Sequence, residues 1–332
     1  MPPVPRRPLL SVVAPAYNEE AVLPAFHDEL VRVLVTVRDE FDLEILYVDD
    51  GSTDATPKIL ARLAAEDSRV RYLRLSRNFG HQAALTAGLE HARGDVVVSL
   101  DSDLQHPPAV IRLLLAEWRA GHDVVVTLRD DRGAVGWFKQ LTSRLFYIAM
   151  RYCSGMDVRP AAADFRLLSR RALNELLRMP ERHRFLRGMV HWLGFPTAEV
   201  RFVAPPRFAG RSKFTLVRMI RLARDGLLSF SRVPLHAALI VAGGLLLASF
   251  LGTTATWLLC RPAGSLGWLI LALIAGVHLG GAGMWVALVA FSEYLARIHE
   301  QVLGRPLYVV REVSDERAAS DVPRAPRTSH AA

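Results

Sequence analysis

Two stretches of this chain carry no charged side chain, and they constrain its fold more than any other feature. Val233–Cys260 is 28 residues long and residues 262–292 add 31 more, all without Asp, Glu, Lys or Arg. A helix crosses the hydrocarbon core of a bilayer in about 20 such residues, so each stretch suffices for one span, at about 235–260 and 266–291. Arg261-Pro262 between them is a turn signal, which makes the pair a hairpin. Arginine crowds the approach to the first span and returns after the second at Arg297, Arg305 and Arg311, whereas Arg261 stands alone between the spans. Positively charged flanks stay on the cytoplasmic side, so both are expected there. The tail after Val313 has the charged, Ala- and Pro-rich composition of a disordered segment.

Basic charge is concentrated just ahead of the hairpin. From Arg166 to Arg224 there are thirteen Arg and one Lys against Glu175, Glu181 and Glu199, in a chain of net charge +8. Residues 214–230 set Leu216, Ile220 and Leu227 beside Arg218, Arg221 and Arg224, the pattern of a basic amphipathic helix on a membrane surface. Such charge also suits nucleic acid, but next to two spans it faces lipid headgroups or phosphate substrates. No nucleic-acid partner is expected. Residues 136–150 show helical periodicity and read as a core-facing helix, with an interfacial helix that shelters a lipid as the alternative. Cys153 and Cys260 have no metal-ligand spacing and make no disulfide framework. No apolar h-region precedes the first strand, so no cleaved signal peptide is expected.

In the first part of the chain, strand and helix signals alternate. Strands are predicted at residues 9–14, 44–48, 70–75, 95–100 and 123–127, with helices at 19–37, 56–66, 81–92 and 107–120. This alternation gives βαβ units and a mostly parallel sheet covered on both faces, an α/β nucleotide-binding architecture. Such sheets bind ligands at the carboxyl ends of their strands. There the fourth strand runs through Leu100 into Asp101-Ser102-Asp103-Leu104-Gln105-His106-Pro107-Pro108. Residues two apart on an extended chain share a side, so Asp101 and Asp103 are expected to aim together beyond the strand end. Two carboxylates suit a hard divalent cation that takes its other ligands from water and phosphate. Three more polar motifs leave earlier strands: Ala14-Pro15-Ala16-Tyr17-Asn18-Glu19-Glu20, Val48-Asp49-Asp50-Gly51-Ser52 and Leu75-Ser76-Arg77-Asn78-Phe79-Gly80-His81-Gln82. Four such exits argue for one shared site.

This succession resembles glycosyltransferase family 2, inverting enzymes of the GT-A fold. The likeness continues through Asp164-Phe165-Arg166-Leu167, Arg182-His183-Arg184-Phe185-Leu186-Arg187-Gly188, Gly210-Arg211-Ser212-Lys213-Phe214, Glu293-Tyr294-Leu295-Ala296-Arg297-Ile298 and Gly304-Arg305-Pro306-Leu307-Tyr308-Val309-Val310. With its two C-terminal spans the chain is similar, over residues 9–311, to polyprenyl-phosphate glycosyltransferases of the bactoprenol glucosyltransferase and dolichol-phosphate-mannose synthase types. The resemblance implies transfer of one sugar from a nucleotide sugar to undecaprenyl phosphate at the cytoplasmic face of a bacterial inner membrane. UDP-glucose is the first choice of donor; UDP-N-acetylhexosamine, UDP-galactose, GDP-mannose and an aminoarabinose derivative stay open.

By the same resemblance Pro15, Tyr17, Glu19 and Asp50 would hold the nucleoside. Asp101 and Asp103 would ligate Mg2+ or Mn2+ on the donor diphosphate, with Gln105 close by and Arg129 facing phosphate. Asp103 and Asp164 are the catalytic candidates, Asp164 as a base, as a structural ion-pair partner of Arg166, or as a residue that orients the acceptor. Arg182, Arg184, Arg187, Arg211 and Lys213 would hold the lipid phosphate, arginine by a bidentate fork and lysine as a point charge. The implied division is a GT-A domain at 1–212, an interfacial helix at 213–232, the hairpin at 233–292 and a cytoplasmic tail at 293–332. Gly243-Gly244 and Gly280-Gly281 would let hairpins pack closely in a homo-oligomer.

Other classes fit less well. A processive polysaccharide synthase of the same fold carries Gln-x-x-Arg-Trp and more spans, and this chain has neither. A dinucleotide-dependent dehydrogenase needs Gly-x-Gly-x-x-Gly after its first strand, where Pro15-Ala16-Tyr17-Asn18 stands. A membrane-anchored scaffold has no use for the acidic pair.

Overall fold

The computed structural model describes residues 6–129, 162–203, 233–260 and 266–314. They form two compact units, one of residues 6–129, 162–203 and 306–314, the other of residues 233–260 and 266–305. The helices expected at 136–150 and 214–230, and the tail beyond residue 314, lie outside the described residues.

The first unit is built on an eight-stranded sheet. Its strands are β1 (Leu9–Ala16), β2 (Asp42–Asp49), β3 (Val70–Leu75), β4 (Val96–Ser99), β5 (Val124–Arg129), β6 (Ala162–Ser169), β7 (Thr197–Phe202) and β8 (Val310–Val313), in the order β7-β5-β6-β4-β1-β2-β3-β8. The block β3-β2-β1-β4 is parallel, and so is the β5/β7 pair. β6 runs antiparallel to both β4 and β5, and β8 antiparallel to β3. Four helices follow strands as expected: α1 (Leu23–Val35), α2 (Thr56–Glu66), α3 (His81–His91) and α4 (Ile111–Arg119), the last entered through a short 3-10 turn. α5 (Arg170–Arg178) and α6 (Leu186–Trp192) come after β6. α1 starts four residues later than predicted because Glu19 O takes the N–H groups of Val22 and Leu23 in a turn, and a proline occupies the first helical turn beyond it.

Alternation within β1 divides the core between two faces. Leu10, Val12 and Ala14 pack with Leu23, Phe26 and Leu30 of α1 and with Ile111 and Leu114 of α4, all fully buried. On the opposite face Val13 receives α3 at Gly88, where a Cβ would lie 2.3 Å from Val13 Cγ1. Each large apolar side chain removed from water here stabilises the fold by about 1.5–3 kcal/mol.

Three strands, β6, β7 and β8, are absent from the sequence reading, and β6 and β8 matter for the site and the edge. β6 carries Asp164 and Arg166 into the middle of the sheet. β8 comes from the segment assigned to the tail, and it covers β3, which would otherwise be an open edge. Tyr72 OH donates to Glu312 Oε1 (2.5 Å), and Tyr72 and Ser314 exchange hydrogen bonds beyond the ladder.

The second unit contains α7 (Val233–Cys260) and α8 (Leu266–Val302). Both are long and apolar enough to cross a membrane, and α8 continues past the charge-free stretch. They pack through small residues. Ser249 Oγ donates to Gly276 O at 2.6 Å, and a Cβ on Gly283 would come within 2.8 Å of Ala242 O.

Candidate active site

In the order β3-β2-β1-β4, α1 carries the chain from β1 to β2 on one side while β4 lies on the other. The β1/β4 boundary is therefore a topological switch point, where open α/β sheets form a ligand crevice. Leu100 N–H bonds Val13 O there, and Ser102 Oγ donates to Pro15 O at 2.9 Å, fastening the loop after β4 across the end of β1.

That loop holds Asp101 and Asp103, but β4 stops at Ser99, so the pair stands in a turn and not on extended chain. The alternation argument predicted the right place by the wrong geometry. Leu104 adopts φ +60, and Asp103 Oδ1 accepts the N–H of Gln105 at 3.0 Å, so the turn is shaped by its own carboxylate. Asp101 N–H donates to His106 Nδ1 at 3.0 Å. His106 is buried with its ring against Phe165 and Phe202, which anchors the turn to β6 and β7.

The nucleoside candidates surround the neighbouring strand ends. Asn18 (φ +53) donates its N–H to Ser52 Oγ and accepts that of Thr53, while Glu20 accepts from Ala55, stitching the β1 and β2 exits together. Pro15 closes on Ser102 as described, Tyr17 stays exposed, and Glu19 N–H bonds Thr56 Oγ1. Asp50 is buried, and its two oxygens accept the N–H groups of Phe79 (2.7 Å) and Gly80 (3.0 Å). Burial raises its carboxyl above the ordinary value against the opposing effect of those two bonds. Its observed work is to bind the β2 exit to the β3 exit. Gly51 makes the same junction possible: its φ is +70, and a Cβ would meet Arg77 C at 2.4 Å.

A second group converges from β6, α3 and α6. Because β6 is antiparallel to β4, its third residue, Asp164, lies just past the register pair Arg166↔Ser99 at the end of β4, and Ser99 Oγ bonds Asp164 O at 2.8 Å. Asp164 is 6% exposed. Its carboxylate takes Arg166 Nη2, Arg187 Nη2 at 3.0 Å and Nε at 3.2 Å, and Gln82 Nε2 at 3.4 Å. Burial alone would raise this carboxyl; Arg187, His81 and Arg166 instead hold it well below the usual carboxylate range. His81 Nε2 lies 3.6 Å from Asp164 Oδ2 and 3.5 Å from Asp101 Oδ1. Desolvation opposes charge on that ring, but Asp101 and Asp164 prevail and lift it to about 9.

The remaining predicted residues are spread out. Gln105 sits in the acidic turn, and Arg129 ends β5. Arg187 joins Asp164, whereas Arg184 turns to the carbonyls of Met179 (2.9 Å) and Glu181 (3.3 Å). Arg182 is on the same segment ahead of α6, and Arg211 and Lys213 lie outside the described residues. Among the described residues no three His, Cys, Asp or Glu side chains form a metal cage.

The pattern of Glycosyl transferase family 2 matches residues 11–177. The chain belongs to that family. Its mixed sheet with a parallel centre is the GT-A arrangement, and the protein is a glycosyltransferase. Relatives align along nearly its whole length. The SfII prophage-derived bactoprenol glucosyl transferase of Shigella flexneri is 35% identical over 91% of this chain and 97% of its own. The prophage bactoprenol glucosyl transferase homolog of Escherichia coli (strain K12) is 35% identical over 92% and 99%, and the uncharacterized glycosyltransferase YkcC of Bacillus subtilis (strain 168) 34% over 91% and 93%. Among solved structures, mannosyltransferase PcManGT from Pyrobaculum calidifontis in complex with GDP-Man and Mn2+ overlaps 95% of this chain and 79% of its own, at 17% identity and a TM-score of 0.43.

Sequence reasoning quoted His81, Gln82, Arg166 and His106 inside motifs without giving the first two or the last a role. Their functions depend on partners far away in the chain. The signal present was position: His81 and Gln82 open a helix directly after a strand exit.

Proposed function

We propose that this glycosyltransferase moves one sugar, glucose from UDP-glucose in the first instance, onto polyprenyl phosphate with inversion at the anomeric carbon. The reading rests on one juxtaposition: an acidic turn at the switch point beside the Asp164–Arg187 pair. Full-length kinship with bactoprenol glucosyl transferases supports the glucosyl donor and lipid acceptor.

Asp101 and Asp103 would hold Mg2+ or Mn2+ on the donor diphosphate; all-oxygen donors on two partly exposed carboxylates fit a hard cation that keeps water and phosphate ligands. When bound, the ion neutralises the charge that grows on the departing nucleoside diphosphate. Arg187 offers a fixed cation to the lipid phosphate, assisted by Arg182, Arg211 and Lys213. The phosphate acceptor is already anionic at neutral pH and needs no proton removed. Asp164, occupied by two guanidinium groups and held ionised, is a weak base, so of its expected roles we assign it the orienting one. The acceptor oxygen attacks the anomeric carbon from the face opposite the diphosphate, and UDP leaves. The apolar hairpin spans the inner membrane with both flanks cytoplasmic, so the lipid tail stays in the bilayer during transfer.

Product stereochemistry tests the reaction type. From α-linked UDP-glucose the glucosyl phosphate lipid should be β, read from the anomeric proton coupling, and its formation should stop on chelation of divalent metal. An α product would refute inversion, and transfer undiminished by chelator would remove the cation.

A further inference from the structure

His81 lies against both halves of this site. It is the first residue of α3, and its Nε2 stands 3.5 Å from Asp101 Oδ1 in the acidic turn and 3.6 Å from Asp164 Oδ2 on β6. The N–H on that nitrogen can point squarely at one oxygen only, and neither distance is that of a short, committed hydrogen bond. The ring is therefore shared between two carboxylates. The parts around it are joined by hydrogen bonds. Gln82, the next residue, donates to Asp164 and accepts Leu186 N–H at 3.3 Å, tying the starts of α3 and α6 to the same carboxylate. Asp164 is bonded in turn to Arg187 on α6. The chain Asp101–His81–Asp164–Arg187 thus runs unbroken from the donor side to the acceptor side.

We propose that His81 is a positioning residue that couples the two halves of the site, so that occupancy at Asp101 alters the affinity at Arg187 and the reverse. The proposal rests on the donor and acceptor assignments above. A ligand that draws Asp101 away from His81 leaves the imidazole to Asp164 alone, which reorients the carboxylate that holds Arg187. An anion on Arg187 acts back along the same contacts. Coupling of this kind is reciprocal by thermodynamic necessity. His81 suits the task because its side chain is 41% exposed at the rim of the fold, so replacing it removes the contacts without opening the core.

The test uses the full chain in detergent, with Mn2+ and UDP as the donor-side probe and undecaprenyl phosphate on the acceptor side. Calorimetry measures the Kd for UDP in Mn2+ with and without the lipid. In the wild type the lipid should change that Kd about fivefold or more, and in His81→Ala by less than about twofold, a loss of coupling on the scale seen for linked sites. His81→Gln, whose flexible amide keeps N–H donors but not the fixed geometry of the ring, should fall between them, and it carries the test if the alanine variant does not fold. An equal lipid effect in wild type and His81→Ala overturns the proposal and leaves the functional reading standing. A wild-type protein that binds no UDP in Mn2+ overturns both.

Discussion

At the residue scale, Asp164 is the side chain with most at stake. It is buried with Arg166 and bonded to Arg187, so Asp164→Asn keeps the shape while leaving two cations short of their counter-charge. Breaking a buried pair from one side costs about 3–5 kcal/mol, which thermal or denaturant unfolding would register. The sign of the pH dependence follows from its depressed carboxyl. Burial acts to raise it, but Arg187, His81 and Arg166 place it well below the ordinary 3.8. Its stabilisation is complete above about pH 4 and is lost as pH falls through the folded value. The asparagine variant should lack that part of the acid-unfolding limb; an unchanged limb would mean Asp164 titrates alike in the folded and unfolded chain. Gly51→Ala makes a separate point. With φ +70 and Arg77 backbone 2.4 Å from the new Cβ, it should destabilise by about 1–3 kcal/mol and disturb the seat of Asp50.

Elements were legible where their pattern is local. α2 and β3 match their predicted bounds, and β1, β2, α3 and β5 differ by one or two residues at an end, because apolar runs and prolines at helix starts are written in neighbouring residues. β6 was not legible: Ala162–Ser169 mixes Asp164 and Arg166 into a strand whose charges are satisfied only through space. β8 was hidden for another reason, since four residues beyond a long helix signal nothing until β3 is known to need a partner. The acidic turn was found and its backbone misjudged, because strand termination at Ser99 depends on hydrogen bonds to β1 and Pro15. Deleting residues 306–332 should expose β3 as an open edge, which size-exclusion chromatography would detect as self-association. A monodisperse product would show that β8 is dispensable.

For the whole molecule, composition set a charged α/β body apart from an apolar hairpin; the described residues form two compact units, with residues 306–314 of the expected tail in the sheet unit and 293–305 in the unit of the two apolar helices. The hairpin's own packing can be tested separately. Gly283→Leu forces a side chain against Ala242 O and should cost about 1–3 kcal/mol, seen as a lower unfolding temperature in detergent. An unchanged midpoint would mean that α7 and α8 do not depend on this close approach. The central claim, transfer of one sugar to a lipid phosphate at the acidic turn, is tested most directly by mass spectrometry of the lipid product. Purified full-length protein, Mn2+, undecaprenyl phosphate and a panel of nucleotide sugars should yield the undecaprenyl phosphate mass plus one hexose with UDP-glucose, and none with Asp103→Ala. A folded protein that gives no glycolipid from any donor, or an Asp103→Ala variant that matches the wild type, would contradict it.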